Sequence, residues 1–471
     1  MTTTSTDALA SRLAEALGAD AVLTDTAARE RYLVEERGLF RGEANIVLCP
    51  HDTASLGRAV SICAAEGVAI VPQGGNTGLV GGSVTRTDEV LVSLHRMNRI
   101  LDVDPVNFTV TVEAGAILAD VQNAAAKSGC LFPLSLGAEG SCTIGGNIAS
   151  NAGGVGVLKY GNTRDLVLGM EVVLPDGRVW DGMRALYKDN SGYSLKNLYI
   201  GSEGSLGIVT RAVLKLFPKH EQSHTAFCAL KSPEDALKLL SLARRRSGDC
   251  VVAFELMSDF TLGIVCDHAG GKHPLESPAP WYALIEMASA RRGDDLSEVF
   301  DTLMEEAFED GLISDAVIAA SLDQAHRLWQ LRESVPEAQK RAGGSMKHDI
   351  SVPVSKVPDF ITTASAAVAE YMPDINFCTF GHVGDGNVHY NMTQPDRMTR
   401  QEFLSHWPAV SAIVYPIAIA MGGSISAEHG LGLLKAEEMV EYRGEVETDL
   451  MRRVKSALDP DNQMNRGKLL P

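Results

Sequence analysis

Pro72-Gln73-Gly74-Gly75-Asn76-Thr77-Gly78 follows the β-branched run Val68–Val71 and offers a succession of bare backbone N–H groups. A loop of this kind cradles a pyrophosphate. No Gly-Lys-Ser/Thr follows it, so it is not a Walker loop, and no G-x-G-x-x-G occurs anywhere, which argues against a Rossmann-type site. Upstream, strand Ile46–Cys49 leads through Asp52 and Thr53 as cap residues into a helix with apolar positions Leu56, Ala59, Val60 and Cys63. The loop therefore ends a βαβ-like opening.

Three more glycine-rich stretches come after it. They are Pro133-Leu-Ser-Leu136-Gly137-Ala-Glu-Gly140-Ser141-Cys-Thr-Ile-Gly145-Gly146-Asn147-Ile-Ala-Ser150-Asn151-Ala-Gly153-Gly154, Lys188-Asp-Asn190-Ser-Gly192-Tyr193 and Gly201-Ser-Glu203-Gly204-Ser-Leu-Gly207-Ile208-Val209-Thr210. Short β-branched runs at 90–94, 109–112, 166–174 and 207–216 lie among them, so glycine here serves backbone geometry between strands. Composition turns polar at 218–224, which places a domain boundary. Beyond it, strands at 225–230, 251–256 and 281–287 with helices at 233–246, 294–309, 323–341 and 355–371 read as an antiparallel sheet covered by helices, ending in histidine-bearing strands at 375–392 and a helix at 445–458.

Those strands hold Gly381-His382-Val383-Gly384-Asp385-Gly386-Asn387-Val388-His389-Tyr390-Asn391, answered later by Ala427-Glu428-His429-Gly430. Seven residues apart on a straight strand, His382 and His389 would face opposite ways, but Gly384 and Gly386 permit a turn that brings both imidazoles together. Two imidazoles and a carboxylate, His382, His389 and Glu428, make a recurrent divalent site with positions open for substrate; the alternative is separately satisfied loop histidines.

The bulk properties narrow the partners. With 471 residues, 45% hydrophobic and 22% charged, the chain is ordinary globular protein of two or three domains. A net charge of −18 argues against nucleic acid and anionic membranes, and requires any anionic substrate to meet locally placed cations or a metal. Eight scattered cysteines without C-x-x-C suggest reduced thiols and a cytoplasmic protein. The start lacks a basic, then apolar, secretory pattern, and the apolar run 412–421 is too short to be a transmembrane segment.

The four glycine motifs in this order resemble the FAD-binding domain of the vanillyl-alcohol oxidase / p-cresol methylhydroxylase superfamily. The late motifs, with Asn465-x-Gly467-Lys468, resemble its D-2-hydroxyacid dehydrogenase branch, which acts on D-lactate, glycolate or D-2-hydroxyglutarate. The resemblance covers about Ile46 to the C-terminus and implies an α+β chain: after an N-terminal helical segment (1–45) come a two-part FAD-binding domain (46–218), a substrate domain with a metal site (219–425) and a C-terminal segment returning to the flavin (426–471). It implies that Pro72, Gly74, Gly75, Asn76, Thr77 and Gly78 hold the pyrophosphate. Leu136, Gly137, Gly140, Ser141, Gly145, Gly146, Asn147, Ser150, Asn151 and Gly153 would line the cofactor. Glu203, Gly204, Gly207, Ile208 and Val209 would sit near the adenine, with Asn465 also at the cofactor. Asn76 stands where some members carry a flavin-linked histidine, so non-covalent FAD is expected.

The same resemblance makes His382, His389 and Glu428 ligands of a divalent metal, zinc first with manganese or cobalt as alternatives, and His429 the general base. Arg332, Lys347 and Asn391 become substrate contacts. Pro336 stands where hydroxyglutarate-type relatives carry a hydroxyl residue, which leaves the distal group of the substrate open. The implied reaction oxidises a D-2-hydroxyacid, D-2-hydroxyglutarate before D-lactate or glycolate, and leaves the electron acceptor open among an electron-transfer flavoprotein, a quinone and a cytochrome. Oligomeric state is open, a homodimer included. A metallohydrolase would leave the glycine motifs without purpose, and a silent electron-transfer or assembly subunit would leave His382, His389, Glu428 and His429 without one.

Overall fold

Ile46–Leu48 and Glu89–Ser93 are buried along their whole length, the signature of strands covered on both faces. In the computed structural model, which describes residues 3–35, 38–293 and 295–471, they pair in parallel at the centre of a four-stranded sheet. Met1, Thr2, Glu36, Arg37 and Asp294, the last an expected helix start, lie outside the described residues. The sheet order is Val22–Leu23, Ile46–Leu48, Glu89–Ser93 and Ala69–Gln73. Helix Thr53–Ala65 is the crossover, and the Asp52 carboxylate caps it by accepting the Ser55 N–H at 2.7 Å.

The chain divides into two compact units. The first takes residues 1–153, 161–219 and 428–471. Besides the parallel sheet it holds an antiparallel one, ordered Ile100–Asp104, Thr109–Glu113, Ile208–Lys215, Val167–Val173 and Val179–Gly182. Its last segment contributes helix Glu445–Leu458 and then joins the parallel sheet region, where Ile70 exchanges backbone bonds with Gln463 and Asn465, both 2.8 Å.

The second unit takes residues 154–160 and 220–427. Its sheet is antiparallel throughout, running Asp315–Ile318, Gln222–Leu230, Trp281–Ser289, Val251–Ser258, Asn376–Gly381, Asn387–Thr393 and Ser345–Met346, with Asp349–Ser351 also on Asn387–Thr393. Helices Pro233–Arg246, Leu296–Glu309 and Val357–Tyr371 bury apolar stripes on this unit.

One sequence expectation changes. The helix expected over 323–341 is two, Leu322–Glu333 and Val335–Ala342, because Pro336 has no N–H and its ring cannot sit against the carbonyl four residues back, at Arg332. Helix Trp407–Ala420 instead runs through Pro416. Among the described residues no helix is long and apolar enough to cross a membrane.

Candidate active site

In the first unit a cavity is walled largely by bare backbone. Pro72–Gly78 forms one wall, Cys142–Ser150 another, and Ser202–Val209 a third. Gly74 and Gly75 are required by packing: a Cβ on Gly74 would lie 2.4 Å from Thr143 Oγ1, and one on Gly75 2.2 Å from the Ser141 carbonyl oxygen. Thr143 caps helix Ile144–Ser150, so the same hydroxyl that excludes a side chain from the first loop also fixes the helix N-terminus beside it. Gly78, at the cavity, has open space where its Cβ would be. Asn76 adopts φ +58°, donates to the Val34 carbonyl at 2.7 Å and accepts from Ser83 at 3.1 Å, so its amide is fixed in the loop.

Of the expected cofactor residues, Leu136, Gly137, Gly140, Ser141, Asn151, Gly153 and Asn465 do not line this cavity, and segment 188–193 lies exposed, with Tyr193 almost wholly in solvent. Asn465 acts one layer back: its Nδ2 donates to the carbonyls of Gly82 at 2.9 Å and Glu203 at 2.6 Å, tying together two lining segments. Glu35, Val80, Leu94 and Tyr199 also line it, and none belongs to a glycine motif that sequence reading singled out. His429 lines the cavity too, half-buried, with Nε2 3.9 Å from Glu428.

In the second unit the turn at 382–387 folds the two strands into a hairpin in which Phe380 faces His389. The His382 and His389 rings stand 5.4 Å apart at 78°. His382 Nδ1 meets Glu255 at 2.5 Å, a hydrogen bond that orients its ring, while His389 Nδ1 lies 3.7 Å from Asp349, an ion-pair rather than a hydrogen-bond distance. Asp385, in the turn, is pushed up to about 6 by burial, against the pull of His382.

Glu255 is fully buried and also accepts from Arg332 Nε at 2.6 Å. Burial alone would raise its pKa, but the charges of His382 and Arg332 outweigh it and hold the carboxyl down at about 2. Arg332 is buried, not a solvated charge, and its guanidinium stacks on Phe380 at 4.7 Å. Asn391 shares the His389 face of its strand; its Oδ1 accepts the His348 N–H at 3.2 Å and its Nδ2 donates to Gln339 at 3.1 Å. Lys347 is half-buried beside His348, and Pro336 is exposed, so its clearest effect is on the backbone. Sequence reading missed Glu255, although an acid inside the apolar run Val251-Val-Ala-Phe-Glu255-Leu-Met257 was a usable signal of a buried, paired carboxylate.

Residues 44–182 match the family described as FAD binding domain, and residues 219–469 match the FAD linked oxidases, C-terminal domain. D-2-hydroxyglutarate dehydrogenase of Xanthomonas citri pv. viticola is 40% identical over 410 residues, covering 86% of this chain and 84% of that one. The mitochondrial D-2-hydroxyglutarate dehydrogenase of Arabidopsis thaliana is 37% identical over 458 residues, 97% of this chain and 80% of its own. The solved structure of p-cresol methylhydroxylase with substrate bound superposes at a TM-score of 0.79 with 17% identity, over 100% of this chain and 97% of that one, a likeness of fold.

Proposed function

We infer the activity from one premise: this chain belongs to the FAD-linked oxidases, carrying both their FAD-binding domain and their C-terminal domain. It is an FAD-dependent 2-hydroxyacid dehydrogenase, and D-2-hydroxyglutarate is the substrate the relatives' names favour. The observation that carries the cofactor is the glycine-walled cavity, whose backbone donors and helix N-terminus suit a pyrophosphate. Bound FAD supplies the two-electron acceptor for the substrate's Cα hydride. Asn76 offers no nucleophile, so we assign non-covalent FAD.

We assign His382, His389 and Glu428 to a divalent ion, zinc by donor type with manganese or cobalt as alternatives. The ion's chemistry is Lewis-acid polarisation, which takes water from pKa ~15.7 to ~7, on the order of 12 kcal/mol. His429 then receives the hydroxyl proton on its ring, a contribution of ~10²–10⁴-fold. Arg332 and Lys347 orient the carboxylates, and Asn391 faces the same strand side as His389.

D-lactate is the second reading. Glu255 already balances the Arg332 charge, which lowers its demand for a distal carboxylate. We place the enzyme in the cytoplasm on its scattered thiols, all free among the described residues, with an electron-transfer flavoprotein or quinone as acceptor. Anaerobic mixing with D- and L-2-hydroxyacids tests the core reading: the D-acids bleach the flavin, D-2-hydroxyglutarate fastest. Bound FAD that no 2-hydroxyacid reduces would refute it.

A further inference from the structure

Glu203 lies in a cofactor-type loop, and the resemblance placed it near the adenine, yet both of its carboxylate oxygens are engaged elsewhere. Oε1 accepts the Leu431 N–H at 2.7 Å and Oε2 the Gly432 N–H at 2.8 Å. These are consecutive donors in the turn that immediately follows His429. Glu203 itself sits at φ +51°, a conformation non-glycine residues seldom adopt and one that a surrounding structure must enforce. Asn465 helps enforce it by donating to the Glu203 carbonyl at 2.6 Å.

The clamped turn has no slack. Gly430 and Gly432 have φ of +79° and +52°. A Cβ on Gly430 would come within 2.9 Å of Glu203 Oε1, and one on Gly432 within 2.2 Å of the Val80 carbonyl oxygen. That carbonyl in turn accepts the N–H groups of Leu433 at 2.9 Å and Leu434 at 3.2 Å. The turn is thus held between a carboxylate and a backbone oxygen, and Glu203, Val80 and His429 all line the same cavity. Burial pushes the Glu203 carboxyl up, while the two backbone bonds and Lys435 pull it down.

We propose that Glu203 is a positioning residue for His429: its carboxylate grips the turn at 430–432 and so fixes where the imidazole stands in the cofactor cavity. The inference rests on the reading of His429 as the base. A misplacement of about 1 Å at a reacting group can cost about 10²-fold, so a grip on the neighbouring backbone is a sufficient lever. Glutamine at this position keeps the shape but turns one acceptor into an amide N–H that faces a backbone N–H.

The test uses FAD-loaded enzyme carrying Glu203→Gln, Glu203→Asp, His429→Ala and the Glu203→Gln/His429→Ala pair, with D-2-hydroxyglutarate under anaerobic conditions. Flavin per chain, the limiting rate of flavin reduction and the half-saturating substrate concentration are read for each. Glu203→Gln is expected to keep its flavin and half-saturation within about twofold while the limiting rate falls roughly 10- to 100-fold. Glu203→Asp, which keeps the charge, recovers part of that rate. In the His429→Ala background Glu203→Gln adds less than about twofold, because both act through one group. An unchanged rate per bound flavin, a loss that multiplies with that of His429→Ala, or loss of FAD from both Glu203 variants overturns the proposal. If His429→Ala alone leaves reduction unchanged, the base reading itself fails, a result separable from these.

Discussion

Replacing Glu255 by glutamine removes one buried charge that answers two donors, Arg332 Nε at 2.6 Å and His382 Nδ1 at 2.5 Å. The carboxyl, ordinarily near 4.5, is held at about 2; that difference corresponds to about 3 kcal/mol at neutral pH. The sign follows from the direction. A group whose folded pKa is depressed stabilises fully above its ordinary value and loses that contribution as pH falls from about 4.5 through about 2. The glutamine oxygen can accept from only one of the two donors, so the second unit should lose about 2–3 kcal/mol, and Glu255→Ala, which strands the guanidinium, about 3–5 kcal/mol. Urea unfolding followed by tryptophan fluorescence is weighted toward the second unit, which holds Trp281, Trp329 and Trp407 against Trp180 in the first. The glutamine variant should also bind zinc ~10–100-fold more weakly, because His382 loses the partner that orients its ring. A second-unit transition that keeps its wild-type midpoint, and its acid sensitivity between pH 4.5 and 2, would refute the reasoning.

Gly75→Ala should abolish FAD retention through the 2.2 Å approach to the Ser141 carbonyl, measured as the absorbance ratio after gel filtration; a yellow variant would contradict it. Arg332→Ala should slow reduction by D-2-hydroxyglutarate at least tenfold more than by D-lactate, and equal slowing would favour the second reading. Strong chelation should halt reduction while FAD stays bound, whereas His429→Ala should keep its metal and lose ~10²–10⁴-fold in the reductive half-reaction, checked by metal analysis beside single-turnover kinetics. Acid precipitation should release the flavin into the supernatant, because Asn76 has no group to bond it; flavin in the pellet would count against this.

Glycine loops and caps were readable because each encodes a local backbone demand. Asp52 and the Pro72–Gly78 loop do in the fold what their residue types require nearby. The hairpin at His382–His389 was readable for the same reason, since Gly384 and Gly386 permit its turn. What escaped depends on distant pairing. Glu255 meets Arg332 across 77 positions and Glu203 meets Leu431 across 228, and no local pattern carries such a link. Pro336 was read for its missing hydroxyl and its missing backbone donor, both as matters of substrate recognition, while the missing donor also decided the helix break.

The bonds that Ile70 exchanges with Gln463 and Asn465 have a consequence for how the protein is made. Residues that emerge early from the ribosome must wait for nearly four hundred more before that edge is closed, and the whole second unit is synthesised in between. A nascent chain arrested before Gln463 leaves Ile70 without these two backbone partners, so loss of residues 463–465 should lower the yield of holoprotein while leaving the second unit able to fold on schedule.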